Sequence, residues 1–373
     1  MQKVYLDNAA TTPIRQEVID EMVRVMQTDF GNPSSTHSSG RSAKAVMETS
    51  RKTIAKLLHC SASEIVFTSS ATEATNWILR NAVKDFGVKR IITSKVEHHA
   101  TLYTVKALEE EFGITVDFVN VNTDGSLDYQ QLFELLQDET KTLVSLMHVN
   151  NETGVVHDVA KIASLCQVPH VLFHCDTVQS VGKSVIDLQQ LPVDFLVSSA
   201  HKFHGPKGIG FAFVRKSLVL QPLLFGGEQE KGWRAGTEAV HQIAGMAKAL
   251  ELAYEHMEEE TKYIANLKLY CWAELQAAFP QAKPNGTNTF YNILNVVLPF
   301  SAEKTAMILF NLDMKGIAVS RGSACQSGSI KPSHVLAEML SDADLVKPSL
   351  RISFSHYNTK ADIDYLIKAL QEV

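Results

Sequence analysis

Residues 198–210 read Ser198-Ser199-Ala200-His201-Lys202-Phe203-His204-Gly205-Pro206-Lys207-Gly208-Ile209-Gly210. A mostly apolar run at 193–197 leads in, and an alternating run at 209–215 leads out. Apolar runs closed by Gly and Pro read as strands. Lys202 is therefore expected on a turn between two strands, with polar side chains around it. An amine held on such a turn is able to form a Schiff base with a carbonyl compound. Taken alone, the segment reads equally well as a surface turn with two ordinary lysines.

Outward from this turn the chain alternates. Strands are expected at 64–68, 90–93, 116–121, 142–147, 171–175 and 195–197. Helical patterns lie between them, near 100–112, 127–137 and 158–167. Before them, Pro13 opens a helical pattern through Ile14, Val18, Ile19, Met22, Val25 and Met26, since Pro is favoured at a first helical position. A turn-rich loop at 31–37 separates it from a second helix carrying Ala43, Val46, Met47, Ile54, Leu57 and Leu58. The alternation implies an α/β architecture with a mostly parallel sheet between helices. In such sheets ligands gather in the loops after the strands' carboxyl ends. Thr72, His98, Asn151, Asp176 and Lys202 all fall in those loops. Residues 236–278 give one or two long helical patterns. Strands at 292–298 and 349–355 and helices at 302–314 and 359–373 then describe a smaller α+β unit. The expected division is a large domain at 14–257 and a small one built from 1–13 and 258–373, carrying a loop at about 320–332.

Composition narrows the function. With 373 residues, 45% of them hydrophobic and 20% charged, the chain is an ordinary globular one of roughly two domains. A formal net charge of -6 argues against a nucleic-acid surface. No apolar stretch is long enough to span a bilayer, and the N-terminus lacks the apolar core of a signal peptide. The five cysteines, Cys60, Cys166, Cys175, Cys271 and Cys325, are odd in number and widely spaced. They suggest neither a disulfide framework nor a metal site, and they fit a reducing cytoplasm.

The chemistry lies in the loops. A strand at 171–175 delivers Asp176 at its end, where a buried carboxylate needs a partner. A protonated pyridine nitrogen, as in pyridoxal phosphate, is one such partner; a helix cap is the commoner alternative. Ala71 and Thr72 open a helix whose N-terminal N–H groups suit a phosphate, although Ser-Ala-Thr-Glu also reads as a capping box. His98, just beyond another strand, could stack on an aromatic ring, although a lone histidine is more often simply packed or solvated. Cys325 sits in a small, polar loop, whereas the other four cysteines lie in apolar patterns and read as packed side chains.

In order along the chain stand Tyr5-Leu6-Asp7-Asn8-Ala9-Ala10-Thr11-Thr12-Pro13, Gly31-Asn32-Pro33-Ser34-Ser35, Phe67-Thr68-Ser69-Ser70-Ala71-Thr72-Glu73-Ala74, Glu97-His98, His148-Val149-Asn150-Asn151-Glu152, Asp176 with Gln179, His201-Lys202 and Arg321-Gly322-Ser323-Ala324-Cys325. This ordered set resembles the NifS/IscS family of cysteine desulfurases, which are fold-type I, class-V-aminotransferase-like pyridoxal phosphate enzymes. The resemblance implies that Lys202 carries the cofactor, Asp176 pairs with its ring nitrogen, Gln179 bonds its ring hydroxyl and Asn151 helps hold the ring. His98 would stack on the ring and shuttle protons. Ala71, Thr72, Ser199 and His201 would bind the phosphate, joined by Thr237 from the neighbouring subunit of a homodimer. Arg351, with Asn32, would bind the substrate; a guanidinium matches a carboxylate bidentately. Cys325 would take the sulfur of L-cysteine as a persulfide, leaving L-alanine, and donate it to an acceptor or iron–sulfur scaffold protein. No resident metal is implied, with Cys325 at most a transient iron–sulfur ligand. Selenocysteine lyase and aminotransferase are the alternatives on the same scaffold. Ala200 stands where the family more often has Gly, and Arg321 where it often has Ser. The added cation near Cys325 predicts a thiol pKa below the usual ~8.5.

Overall fold

The run before Lys202 forms a strand at Phe195–Ser199, the run after it forms one at Gly210–Val214, and the two pair antiparallel. The computed structural model describes residues 3–321 and 332–372. In chain order the elements are β1 (Val4–Tyr5), α1 (Gln16–Thr28), α2 (Ser38–Leu57), β2 (Ile65–Thr68), α3 (Ala71–Lys84), β3 (Arg90–Ser94), α4 (His99–Phe112), β4 (Thr115–Val119) and α5 (Tyr129–Leu135). There follow β5 (Thr142–Met147), α6 (Val159–Leu165), β6 (Val171–Asp176), β7 (Phe195–Ser199), β8 (Gly210–Val214), α7 (Val240–Glu255) and α8 (Met257–Ala278). The rest comprises β9 (Lys283–Pro284), β10 (Ile293–Val297), α9 (Lys304–Met314), β11 (Ile317–Ala318), α10 (His334–Ala337), α11 (Asp342–Leu345), β12 (Ser349–Ser353) and α12 (Lys360–Gln371).

Seven strands form the main sheet in the order β2-β8-β7-β6-β5-β3-β4. Only β8 runs against its neighbours; the pairs from β7 through β4 are all parallel. Helices cover both faces, so β3, β5 and β7 are buried along their whole length, as strands of a parallel sheet are. Alternate side chains serve opposite faces. Leu146, Phe173 and Leu196 enter one core with α2, α6 and α7, while Leu143, Phe195 and Val197 enter another with α3 and α4.

A separate core joins the two ends of the chain. Val4 and Leu6 pack with residues of α8, α9, β10, β12 and α12. Its sheet is antiparallel in the order β12-β10-β9, and β1 pairs parallel with β11 beside it. The helix expected from Gly236 begins at Val240. Cys60 lies in a bend past the end of α2 and is only partly buried, not within the helix. Cys166, Cys175 and Cys271 are buried, and burial pushes all four thiols up.

Candidate active site

The strand ends converge on one cavity of about 260 Å³, lined by Ala71, Thr72, His98, Asn151, Asp176, Gln179, Ser199, His201, Lys202 and Arg351. Each arrives from a different element. Thr72 stands in the first turn of α3 after β2, and His98 caps α4 after β3. Asn151 follows β5, Asp176 ends β6, Lys202 lies just past β7, and Arg351 sits within β12.

At one end are donors. Ser70 caps α3 by accepting the Glu73 N–H at 3.2 Å. The Ala71 N–H donates to Ser199 Oγ at 2.8 Å, tying the helix start to the end of β7. Arg234 pairs with the first-turn carboxylate of Glu73 at 2.8 Å, so the positive end of a four-turn helix faces the cavity with its one acidic neighbour neutralised. An anion is favoured there.

Towards the other end lies Asp176, 8% exposed. Its Oδ1 accepts the Val178 N–H at 2.9 Å. Burial pushes its carboxyl up to about 6, and Lys202 opposes that rise only in part. A buried carboxylate this reluctant to ionise is short of a cation, and a protonated pyridine nitrogen supplies one. The donors at α3, the acid at β6 and the amine at Lys202 thus fit pyridoxal phosphate.

Lys202 Nζ donates to the carbonyls of Ala9 and Ala10 at 2.8 and 2.9 Å. These carbonyls were not legible as site groups, because a backbone oxygen carries no residue-type signal. The N-terminal segment is stitched in place: the Thr12 N–H donates to the His201 carbonyl at 2.9 Å, and Thr12 Oγ1 accepts the His204 N–H at 2.8 Å. Ala200 is buried and packs against Gly205, where an added Cβ would come within 2.9 Å of the Ala200 methyl.

His98 Nδ1 accepts the Ala100 N–H at 3.1 Å, which puts the ring proton on Nε2. Burial first, then Lys202 and His334, push its pKa down to about 4, so the ring is neutral near pH 7. Burial likewise pushes His201 down to about 3, and its Nδ1 lies 3.2 Å from Thr11 Oγ1. Arg351 is 1% exposed; its guanidinium donates to the Asn151 carbonyl and to Asp7 Oδ1, both at 2.7 Å. Asp7 had no assigned role in the sequence reading.

Two expected site residues lie elsewhere in this chain. Asn32 and Thr237 line a separate hollow of about 290 Å³ with Met26 and Phe30. Cys325 falls outside the described residues.

A family model described as aminotransferase class-V matches residues 4–366. A cysteine desulfurase IscS of Dictyoglomus turgidum is 38% identical over 100% of this chain and 94% of its own length. A solved structure titled NifS-like protein superposes with a TM-score of 0.92 at 36% identity, covering 100% of this chain and 99% of that one. A structure titled SspA in complex with cysteine gives a TM-score of 0.83 at 30% identity, covering 96% and 100%.

Proposed function

The chain belongs to the aminotransferase class-V family, and from that premise we propose that it is a cysteine desulfurase dependent on pyridoxal phosphate. The observation that carries the reading is the cavity in which Lys202, a cation-short Asp176, the α3 N-terminus and Arg351 meet. Bound there, the cofactor supplies an electron sink for the α-carbon of an amino acid.

The chain's own residues divide the work. The first turn of α3, Ser199 and His201 hold the phosphate. Asp176 keeps the ring nitrogen protonated, and Gln179 and Asn151 orient the ring. Arg351 grips the substrate carboxylate, with Asp7 fixing the guanidinium. Lys202 Nζ moves the α-proton, and neutral His98, with its proton on Nε2, is a donor at the ring face. The Cys325 thiolate attacks the substrate sulfur; a sulfur–sulfur bond forms, the C–S bond breaks with its electron pair passing to the substrate carbon, and that carbon takes up a proton, so that the remainder of L-cysteine leaves as L-alanine. The sulfur then passes to an acceptor or scaffold protein. In this scheme 14–257 holds the cofactor, and 1–13 with 258–373 brings Arg351 and Cys325 to it.

A second copy completes the site. Ile19, Val23 and Met26 form an apolar stripe at helical spacing on the open side of α1, and Phe30, just past the helix end, is 76% exposed beside it. The stripe borders the hollow that holds Thr237. In a homodimer that face is covered, and Thr237 reaches the partner's phosphate site. No helix among the described residues is long and apolar enough to cross a membrane, and the four described cysteines are unpaired, which fits a cytoplasmic enzyme.

The test is the intact mass of the protein after brief exposure to L-cysteine, with alanine measured in the same tube. A reductant-labile gain of one or more sulfur atoms, absent in Cys325→Ala, is the expected result. Neither adduct nor alanine from protein holding its cofactor would remove the desulfurase reading and favour aminotransferase chemistry.

A further inference from the structure

One buried cation beside the cavity has no part in the mechanism above. After β6 the chain winds through successive turns, with the Val181 N–H on the Thr177 carbonyl and the Lys183 N–H on the Ser180 carbonyl, both at 2.9 Å. This spacing puts Gln179 and Lys183, four residues apart, on one side. The turn is pressed onto the Lys202 segment: a Cβ at Gly182 would meet Phe203 Cβ at 2.8 Å. Lys183 is 9% exposed, and its Nζ donates to Gln179 Oε1 at 3.1 Å.

An apolar side chain would fill this place without a desolvation cost. Instead a lysine lies among cations. Burial first, then Lys202 on the segment after β7 and Arg351 on β12, push its amine down to about 7. Burial is the main cause that lowers His201 and His204 on that segment, and Lys183 adds the smallest part. The ion pairs of the described residues include none with Lys183. Its polar end is directed at the amide of a residue that lines the cavity.

That contact settles which way the amide points. With Oε1 on the Lys183 ammonium, Gln179 Nε2 donates to the Ala9 carbonyl at 2.9 Å. A flipped amide would set NH2 against the ammonium donors and oxygen against a carbonyl oxygen. The Ala9 carbonyl also accepts from Lys202 Nζ at 2.8 Å. A continuous chain therefore runs from Lys183 through Gln179 and Ala9 to Lys202. The second N–H of Gln179 Nε2 is left over for an acceptor in the cavity.

We propose that Lys183 is a positioning residue for the cofactor: it locks the Gln179 amide as a donor toward the ring oxygen, and it sets a second ammonium on the hydrogen-bonded chain that ends at the Lys202 nitrogen. This rests on the cofactor reading above. Both effects act in the same direction. A nearby cation disfavours a proton on the Lys202–cofactor nitrogen, and an N–H donated to the ring oxygen makes that oxygen less basic. Losing Lys183 therefore raises the pH at which the bound cofactor gives up its proton.

The test is the absorbance of the purified holoenzyme, titrated with pH in the absence of substrate. Lys183→Met is expected to move the midpoint up by about one pH unit, a tenfold rise in proton affinity. Lys183→Arg, which keeps donor and charge, is expected to hold the midpoint at or below that of the wild type. Lys183→Gln, which keeps a donor without the charge, is expected to fall between them, and it decides the matter if the Met variant does not fold. Variants that bind cofactor and titrate with the wild-type midpoint would overturn the assignment and leave Lys183 a packing residue. A wild type that takes up no pyridoxal phosphate would overturn both this inference and the reading beneath it.

Discussion

Asp176 links the electrostatics of the cavity to the stability of the protein. Its pKa of about 6 in the folded chain lies above the ordinary 3.8. The folded state therefore holds the proton more tightly. The resulting stabilisation is complete below about pH 4 and is lost as pH rises through 6. Two pH units correspond to about 3 kcal/mol. Calorimetry of apo protein should thus show stability falling between pH 4 and 7, and Asp176→Asn should flatten that fall. Loading wild-type protein with pyridoxal phosphate should flatten it as well if, as proposed, the ring nitrogen pairs with the carboxylate. Asp176→Asn should also weaken cofactor binding, by ~100-fold or more if a buried charge pair is broken. Lys202→Ala should release the cofactor on gel filtration, read as loss of its visible absorbance. Lys202 and Asp176 were legible in the sequence because a charged residue at the end of an apolar strand is conspicuous. The Ala9 and Ala10 carbonyls were not, nor was the Asp7–Arg351 pair, since that contact depends on how distant segments fold together.

The hairpin of β7 and β8 does for the elements what Lys202 does for the residues. Gly210 opens β8 between the Ser198 carbonyl and the Ser70–Ala71 peptide, and a Cβ there would lie 2.4 Å from that carbonyl oxygen and 3.2 Å from the Ala71 nitrogen. Backbone on both sides leaves nothing able to yield. Gly210→Ala should therefore destabilise by about 3 kcal/mol and displace the start of α3, seen in urea denaturation as a lower midpoint and in titration as weaker cofactor binding. Gly113 offers a contrast. It closes α4 at φ 64 with open space around it. Gly113→Ala should cost about 1 kcal/mol through backbone strain alone and leave cofactor affinity unchanged. The long strands and helices were readable because their apolar periods run for several residues. β1, β9 and β11 have two residues each, too few for any period to register, and their pairing is imposed by the surrounding core. The start of α7 at Val240 rather than near Gly236 has the same origin: Gly236 adopts φ 101 and donates its N–H to Gln229 Oε1, which holds it out of the helix.

For the whole molecule, the exposed stripe on α1 and the placement of Thr237 lead to one expectation. Met26→Glu with Phe30→Glu should turn the proposed dimer into a monomer by sedimentation equilibrium, and the monomer should lose cofactor more readily. An unchanged dimer would place the second copy elsewhere. The closure of the cavity has a further consequence. Asp7 reaches Arg351 across 344 positions, and Asn8 reaches Ser353 across 345. A ribosome lays down one wall of the cavity some 344 residues before the other. At roughly 5–20 residues per second, the opening segment waits from about twenty seconds to over a minute for its partners. A growing chain thus carries Lys202 well before it has a closed site to put it in. Closure of the proposed cofactor site waits until β12 has left the ribosome.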